Sequence, residues 1–185
     1  MRGMRGLVAL GSVLVLLAGA AACSMSVPGR GNEPGPLQVG GRIESGQVVK
    51  PGTTIGWGLA LVWSPDERPF TITSARALTD DPKAAVQPAY GMGWPRGLGG
   101  IQFTSWPPAD PELGGTPKPL PVSVAPNLGD PPPSTEIFVG ITVPEGGVLM
   151  DGVELQYTDG TTEWTVVVPQ IVRFCTSGEV ADCQP

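Results

Sequence analysis

The 185-residue chain contains no histidine. Without an imidazole, neither Ser-His-Asp nor Cys-His activation of a nucleophile can operate, and the commonest metal ligand is missing. Basic residues are scarce as well, 11 Lys and Arg against 17 Asp and Glu, and none of them cluster. Such a surface repels phosphate backbones, which excludes nucleic acid as a partner. No Walker-type loop occurs. The Gly91-x-Gly93-x-x-x-Gly97 run neither follows a strong strand nor opens a helix, so it reads as a connection. The twelve-residue alternation of Asp and Asn that an EF-hand requires is absent. Met25, Met92 and Met150 are spaced too widely for a copper-binding thioether cluster. No window supports a long amphipathic helix, and no segment repeats. No cofactor is expected.

What is there begins with the leader. Met1 to Gly6 is short and basic, and Leu7 to Ala22 is a 16-residue apolar stretch of Leu, Val, Ala, Gly and Ser. It is too short to cross a bilayer comfortably and ends in small residues, as a cleavable signal does. Residues 1–22 are therefore read as a signal peptide. The run Ala20-Ala21-Ala22-Cys23 resembles the bacterial lipobox, in which small residues precede a cysteine that receives a diacylglyceryl thioether. The resemblance implies that Cys23 is the lipidated first residue of the mature chain, although Ala20 stands where the usual pattern has Leu. Ordinary cleavage after Ala20-Ala21-Ala22 is the alternative, and it would leave Cys23 an odd thiol in an oxidising compartment. Loss of the leader removes Arg2 and Arg5, leaving 9 basic against 17 acidic residues, a net charge of −8. An acidic chain gains nothing from anionic head groups. Its hold on the membrane must come from the acyl chains, about 0.8 kcal/mol for each buried CH₂. The expected location is the extracytoplasmic face of the cell membrane.

Three cysteines are present. With Cys23 carrying lipid, Cys175 and Cys183 remain as a pair, separated by seven residues that include Gly178 for a turn. Outside the cytoplasm they should be oxidised, which stabilises by roughly 2–3 kcal/mol for so short a loop. The spacing is not C-x-x-C and no Lys or His lies near, so the pair reads as a clip on the C-terminal tail.

Residues 23–44 (CSMSVPGRGNEPGPLQVGGRIE) are rich in Gly, Pro and Ser and read as a lipid-anchored tether. Residues 45–185 read as one β domain. In Thr54–Ser64, Ile55, Trp57, Leu59, Leu61 and Trp63 fall on one face by strict alternation. After a Pro65 to Pro69 turn, Phe70 to Leu78 alternates again, which predicts an antiparallel pair. Glu136–Val143, Val153–Tyr157 and Glu163–Val168 follow the same pattern, with Asp159-Gly160 as a hairpin turn and Pro169 as a break before Ile171. Weaker strands are expected at Gln47–Lys50, Ile101–Phe103 and Val122–Ala125. The fold class is all-β: seven to nine short strands in a two-layer antiparallel β-sandwich. In strand count and turn spacing, residues 45–175 resemble exported immunoglobulin-like domains. The inter-sheet Cys…Trp…Cys spacing is absent, and a likeness of architecture carries no functional residue across.

Thr79 to Ser134 is a Pro/Gly-rich stretch of 56 residues, more than a compact domain usually spends on one loop, and it reads both as a long insertion with its own role and as hiding weak edge strands. It holds Tyr90, Trp94 and Trp106, the candidate ligand contacts. Aromatics in such a setting form sugar platforms or protein hot spots, or else fold back over a sandwich edge. Asp66/Glu67 and Asp80/Asp81 are acid pairs in turns. Paired acids could hydrolyse glycosides, and Asp80-Asp81 could clamp a loop-held Ca²⁺, but exposed acidic turns are the norm. The leading expectation is a non-enzymatic, lipid-anchored module that meets a cell-envelope protein or glycan. The alternative is a carbohydrate- or small-ligand-binding lipoprotein using the loop aromatics, and an envelope hydrolase comes third.

Overall fold

The computed structural model describes residues 35–40, 42–65, 67–94, 102–103, 105–109, 116–124, 126 and 133–185. Residues 1–22, read above as a signal peptide, and Cys23, Asp66 and Gly97 lie outside them. Two sheets face each other across an apolar core. In the first, β1 (Gln38–Val39), β3 (Thr54–Trp63), β9 (Ser134–Thr142), β5 (Ala85–Trp94) and β7 (Lys118–Pro119) lie side by side in that order. Beside β3 at Gly56 and Trp57 runs β6 (Gln102–Phe103). The second sheet runs β2 (Ile43–Val48), β12 (Gln170–Cys175), β10 (Val148–Thr158), β4 (Phe70–Thr79), β8 (Val122–Val124). Its remaining strand, β11 (Glu163–Val168), pairs with β10. The chain is an all-β sandwich.

The alternation explains most of this. Ile137, Val139 and Ile141 of β9 and Val153, Leu155 and Tyr157 of β10 all point into the core and are almost wholly buried. Burying each such side chain stabilises by about 1.5–3 kcal/mol relative to leaving it wet. Trp57 meets Phe174 edge-on, with centroids 5.8 Å apart. Its indole Nε1–H donates to Oε1 of the fully buried Gln170 at 2.8 Å, so a polar group inside the core keeps a partner. Asp159 turns the β10–β11 hairpin, its carboxylate accepting the Thr161 and Thr162 amides at 2.9 Å each. Pro169 has no N–H to give the ladder. It divides β11, which pairs with Val153 to Thr158, from β12, which pairs with Val148 to Met150 on the same side of β10.

Five expectations are corrected. First, β3 and β4 do not pair: they lie in opposite sheets, and the proline-flanked turn between them crosses the sandwich. Second, the phase of β3 changes midway. Its register with β9 passes from Gly58 to Ala60, a bulge that omits position 59. Ala60 and Val62 therefore face the core, while Leu61 and Trp63 are only half-buried. Third, one strand pair is parallel. The chain leaves the first sheet after β1 and enters the second as β2 without reversing, so β2 runs alongside β12 in the same direction. Fourth, the folded part starts before residue 45. Leu37 is buried, and β1 and the first two residues of β2 take up positions assigned to the tether.

Fifth, the stretch from Thr79 to Ser134 supplies more than an insertion with weak edge strands. Within it, β5 forms an inner strand of the first sheet, paired with β9 on one side and β7 on the other. Pro88 falls where the β5–β9 register shifts between Val86 and Tyr90. Gly91 has Val122 and the core residue Ile137 as its nearest side-chain neighbours, where a Cβ would come within 2.6 Å of Val122. These residues weaken strand propensity, which is what hid the element. The strand groups β1-β3-β9-β5 and β12-β10-β4 form the two faces of the sandwich, and β8, flanking β4, comes after β5 in the chain.

The two ends of the sandwich are closed differently. At the end holding the β10–β11 hairpin, Gly35 to Leu37 cross over an aromatic group. Phe70, Tyr157 and Trp164 meet there, Tyr157 and Trp164 stacked at 5.3 Å and Phe70 edge-on to both. The Leu37 N–H donates to the Tyr157 hydroxyl at 3.3 Å. A Cβ at position 35 would collide with Tyr157 and Trp164, so only glycine passes so close. At the opposite end, Cys175 and Cys183 form a disulfide with Cα atoms 5.9 Å apart. It lays the tail over Gly46 of β2, where a Cβ would coincide with the Cys183 carbonyl.

Candidate functional site

In a two-layer sandwich, one side of each strand should be wet. β9 breaks that rule, for Glu136 and Phe138, on the side away from the core, are fully buried. Two glycines create the room. A Cβ on Gly58 would stand 2.6 Å from both the Phe138 ring and a Glu136 carboxylate oxygen, so the bare β3 backbone is the seat for both. A Cβ on Gly140 would stand 2.7 Å from the Trp106 indole, so that ring lies directly against β9.

Over this floor, β5 contributes Tyr90 and Met92, the register partners of Phe138 and Glu136. Met92 and Phe138 form a small apolar cluster of their own, with Tyr90 and Trp106 packed on it. Tyr90 and Trp106 meet edge to face, with centroids 5.2 Å apart and planes at 88°. Both rings are half-buried, so each keeps a surface for water or a partner. A perpendicular pair of half-exposed rings packed on Met92 and Phe138 suits C–H donors above an aromatic face, as sugars and apolar side chains provide.

The structure thus brings together Tyr90 and Trp106 of the three expected contacts. Trp94 closes β5 opposite Ser134, and its side chain lies outside the described residues. Met92, Phe138, Gly58, Gly140 and Glu136 were not foreseen. Their signal was present: the Tyr90-Gly-Met-Gly-Trp94 alternation marks a strand, and Phe138 sits out of phase with the core positions of β9.

The acid pairs are engaged in holding turns. Asp80 accepts the Leu149 amide at 2.9 Å through Oδ1 and lies 3.5 Å from Arg173 through Oδ2. Asp81 accepts the Lys83 amide at 3.0 Å and caps a 3₁₀ turn over Pro82–Ala84. Glu67 is exposed. No group of three or more Asp, Glu, Cys or His side chains is placed to hold a metal ion among the described residues.

A concavity of about 280 Å³ lies on the other sheet, lined by Thr73, Gln156, Tyr157, Glu163, Trp164 and Thr165. Burial raises the Tyr157 hydroxyl above the ordinary tyrosine range, opposed in part by the Leu37 amide. That shift belongs to the clamp on residue 37 rather than to a reacting group. No protein-family model and no curated protein matches this chain.

Proposed function

We propose that the chain is a non-enzymatic lipoprotein of the bacterial cell envelope, which holds a β-sandwich on the extracytoplasmic face of the membrane to engage an envelope protein. The observation that carries this reading is the cysteine inventory. Cys175 and Cys183 pair with each other. That leaves Cys23, directly after an apolar leader and three alanines, as the odd one. A thioether to diacylglycerol gives that sulfur a use. Absence of histidine, and the engagement of Asp80 and Asp81 in turns, support the non-enzymatic part.

Incorporation of an alkyne-tagged fatty acid tests the anchor. Wild-type protein should take up the label and sediment with membranes, and Cys23→Ala should do neither. Label-free wild type would remove the reading. Crosslinking in cells then addresses the partner: envelope protein captured by wild type and lost in Cys23→Ala supports a membrane-proximal interaction.

The pair of half-exposed rings favours a second reading, a carbohydrate-binding lipoprotein. Glycan arrays probed with wild type and with a Tyr90→Ala/Trp106→Ala double variant separate the two. Binding that the variant loses supports sugar recognition, whereas an array that wild type leaves blank rejects it.

A further inference from the structure

Resting on the lipid anchor just proposed, we infer that the aromatic clamp around Leu37 fixes which end of the sandwich faces the bilayer: the β10–β11 hairpin end is proximal and the disulfide end is distal. Where the described chain enters the sandwich decides this. Leu37 is buried, its N–H is held by Tyr157, and Gly35 lies against Tyr157 and Trp164. The chain toward Cys23 therefore leaves the domain at the hairpin end. That end also carries the close of β3 at Trp63 and the start of β4 at Phe70.

Eleven residues, Ser24 to Glu33 and Pro34, separate Cys23 from Gly35. Fully extended, this length spans about 40 Å. For comparison, a flexible Gly/Ser chain of this many residues reaches about 20 Å on average. The sandwich is longer than that average: β10 has eleven residues and runs from one end to the other, about 33 Å. A tether shorter on average than the body it holds keeps its point of attachment nearer the membrane than the opposite end. Charge does not draw the proximal end flat against anionic head groups, because Glu67, Asp159 and Glu163 stand there with Arg68. The distal end, with Lys50 to Thr53, Pro144 to Gly147 and the disulfide-clipped tail, is what a partner in the aqueous compartment reaches first.

Energy transfer to the bilayer tests the orientation. Full-length lipidated protein is reconstituted into vesicles of phosphatidylcholine and phosphatidylglycerol doped with an acceptor-labelled lipid. A donor dye is placed at Thr161 in one preparation and at Ser177 in another, both exposed and at opposite ends. Transfer from Thr161 is expected to be several-fold greater. A long Gly/Ser insertion after Asn32 should lower the Thr161 signal, and Leu37→Ala, which loosens the clamp, should narrow the difference. Equal transfer from the two positions in protein that floats with the vesicles would overturn the orientation and leave the anchor standing. Protein that fails to float would overturn the anchor and the orientation together.

Discussion

The two ends of this sandwich fasten a chain terminus in opposite ways. At the hairpin end the first described residues are held by burial and one hydrogen bond, Leu37 against Tyr157. At the other end the tail is held covalently, and Cys183 is almost wholly buried beside Gly46. The contrast teaches that a short terminal segment needs either a large apolar anchor or a covalent one. A tail with Val180 exposed and only short turns around it cannot repay the entropy of being ordered through packing alone.

The largest effect expected is at the packed end. Leu37→Ala should cost about 3 kcal/mol by denaturant unfolding, the usual range for a buried Leu. Amide exchange at Gly40, which donates to Leu61 at 2.8 Å, should accelerate with it. At the clipped end, Cys175→Ser combined with Cys183→Ser should cost about 2–3 kcal/mol, and reductant should reproduce that loss in wild type but not in the double variant. An equal response of Gly40 to both changes would erase the distinction between the ends.

Tyr157→Phe should cost about 1 kcal/mol, the worth of one hydrogen bond. It carries a pH signature as well. Because burial raises the folded-state pKa of Tyr157, the unfolded chain ionises first on the alkaline side. The stabilisation is complete below about pH 10 and is lost as pH climbs through the folded value. Tyr157→Phe should lack that alkaline loss. The smallest effect is at Asp159, whose exposed carboxylate is held below the usual range by the Thr161 amide first and the Thr162 amide next. Its contribution is present above the ordinary carboxylate range and fades as pH falls through the lowered value. Asp159→Ala should therefore weaken the hairpin at neutral pH less than Tyr157→Phe weakens the clamp, and should not do so in strong acid.

The same contrast runs through what the sequence reveals. Where side chains alternate without interruption, as along Ile137–Ile141 or Val153–Tyr157, strand, face and hairpin could be read directly. Reading failed where the backbone adds or skips a residue. The bulge at position 59 reverses the phase of β3, and no side chain announces it. β5 escaped because Pro88, Gly91 and Gly93 are poor strand formers, although Gly91 makes room for Val122 and Ile137. The aromatic site was half legible. Tyr90 and Trp106 stood out as loop aromatics, but Trp106 lies against the missing side chain of Gly140, and the Phe138 ring they pack on lies against that of Gly58. A glycine's use as empty space depends on what packs above it, and that is settled by tertiary structure.

The most direct test of the account is the intact mass of the mature protein extracted from membranes, together with that of its N-terminal peptide. The account predicts that the chain begins at Cys23 with a diacylglyceryl group on sulfur and a disulfide between Cys175 and Cys183. A bare sulfhydryl on residue 23, or a chain still carrying Leu7 to Ala22, would contradict it.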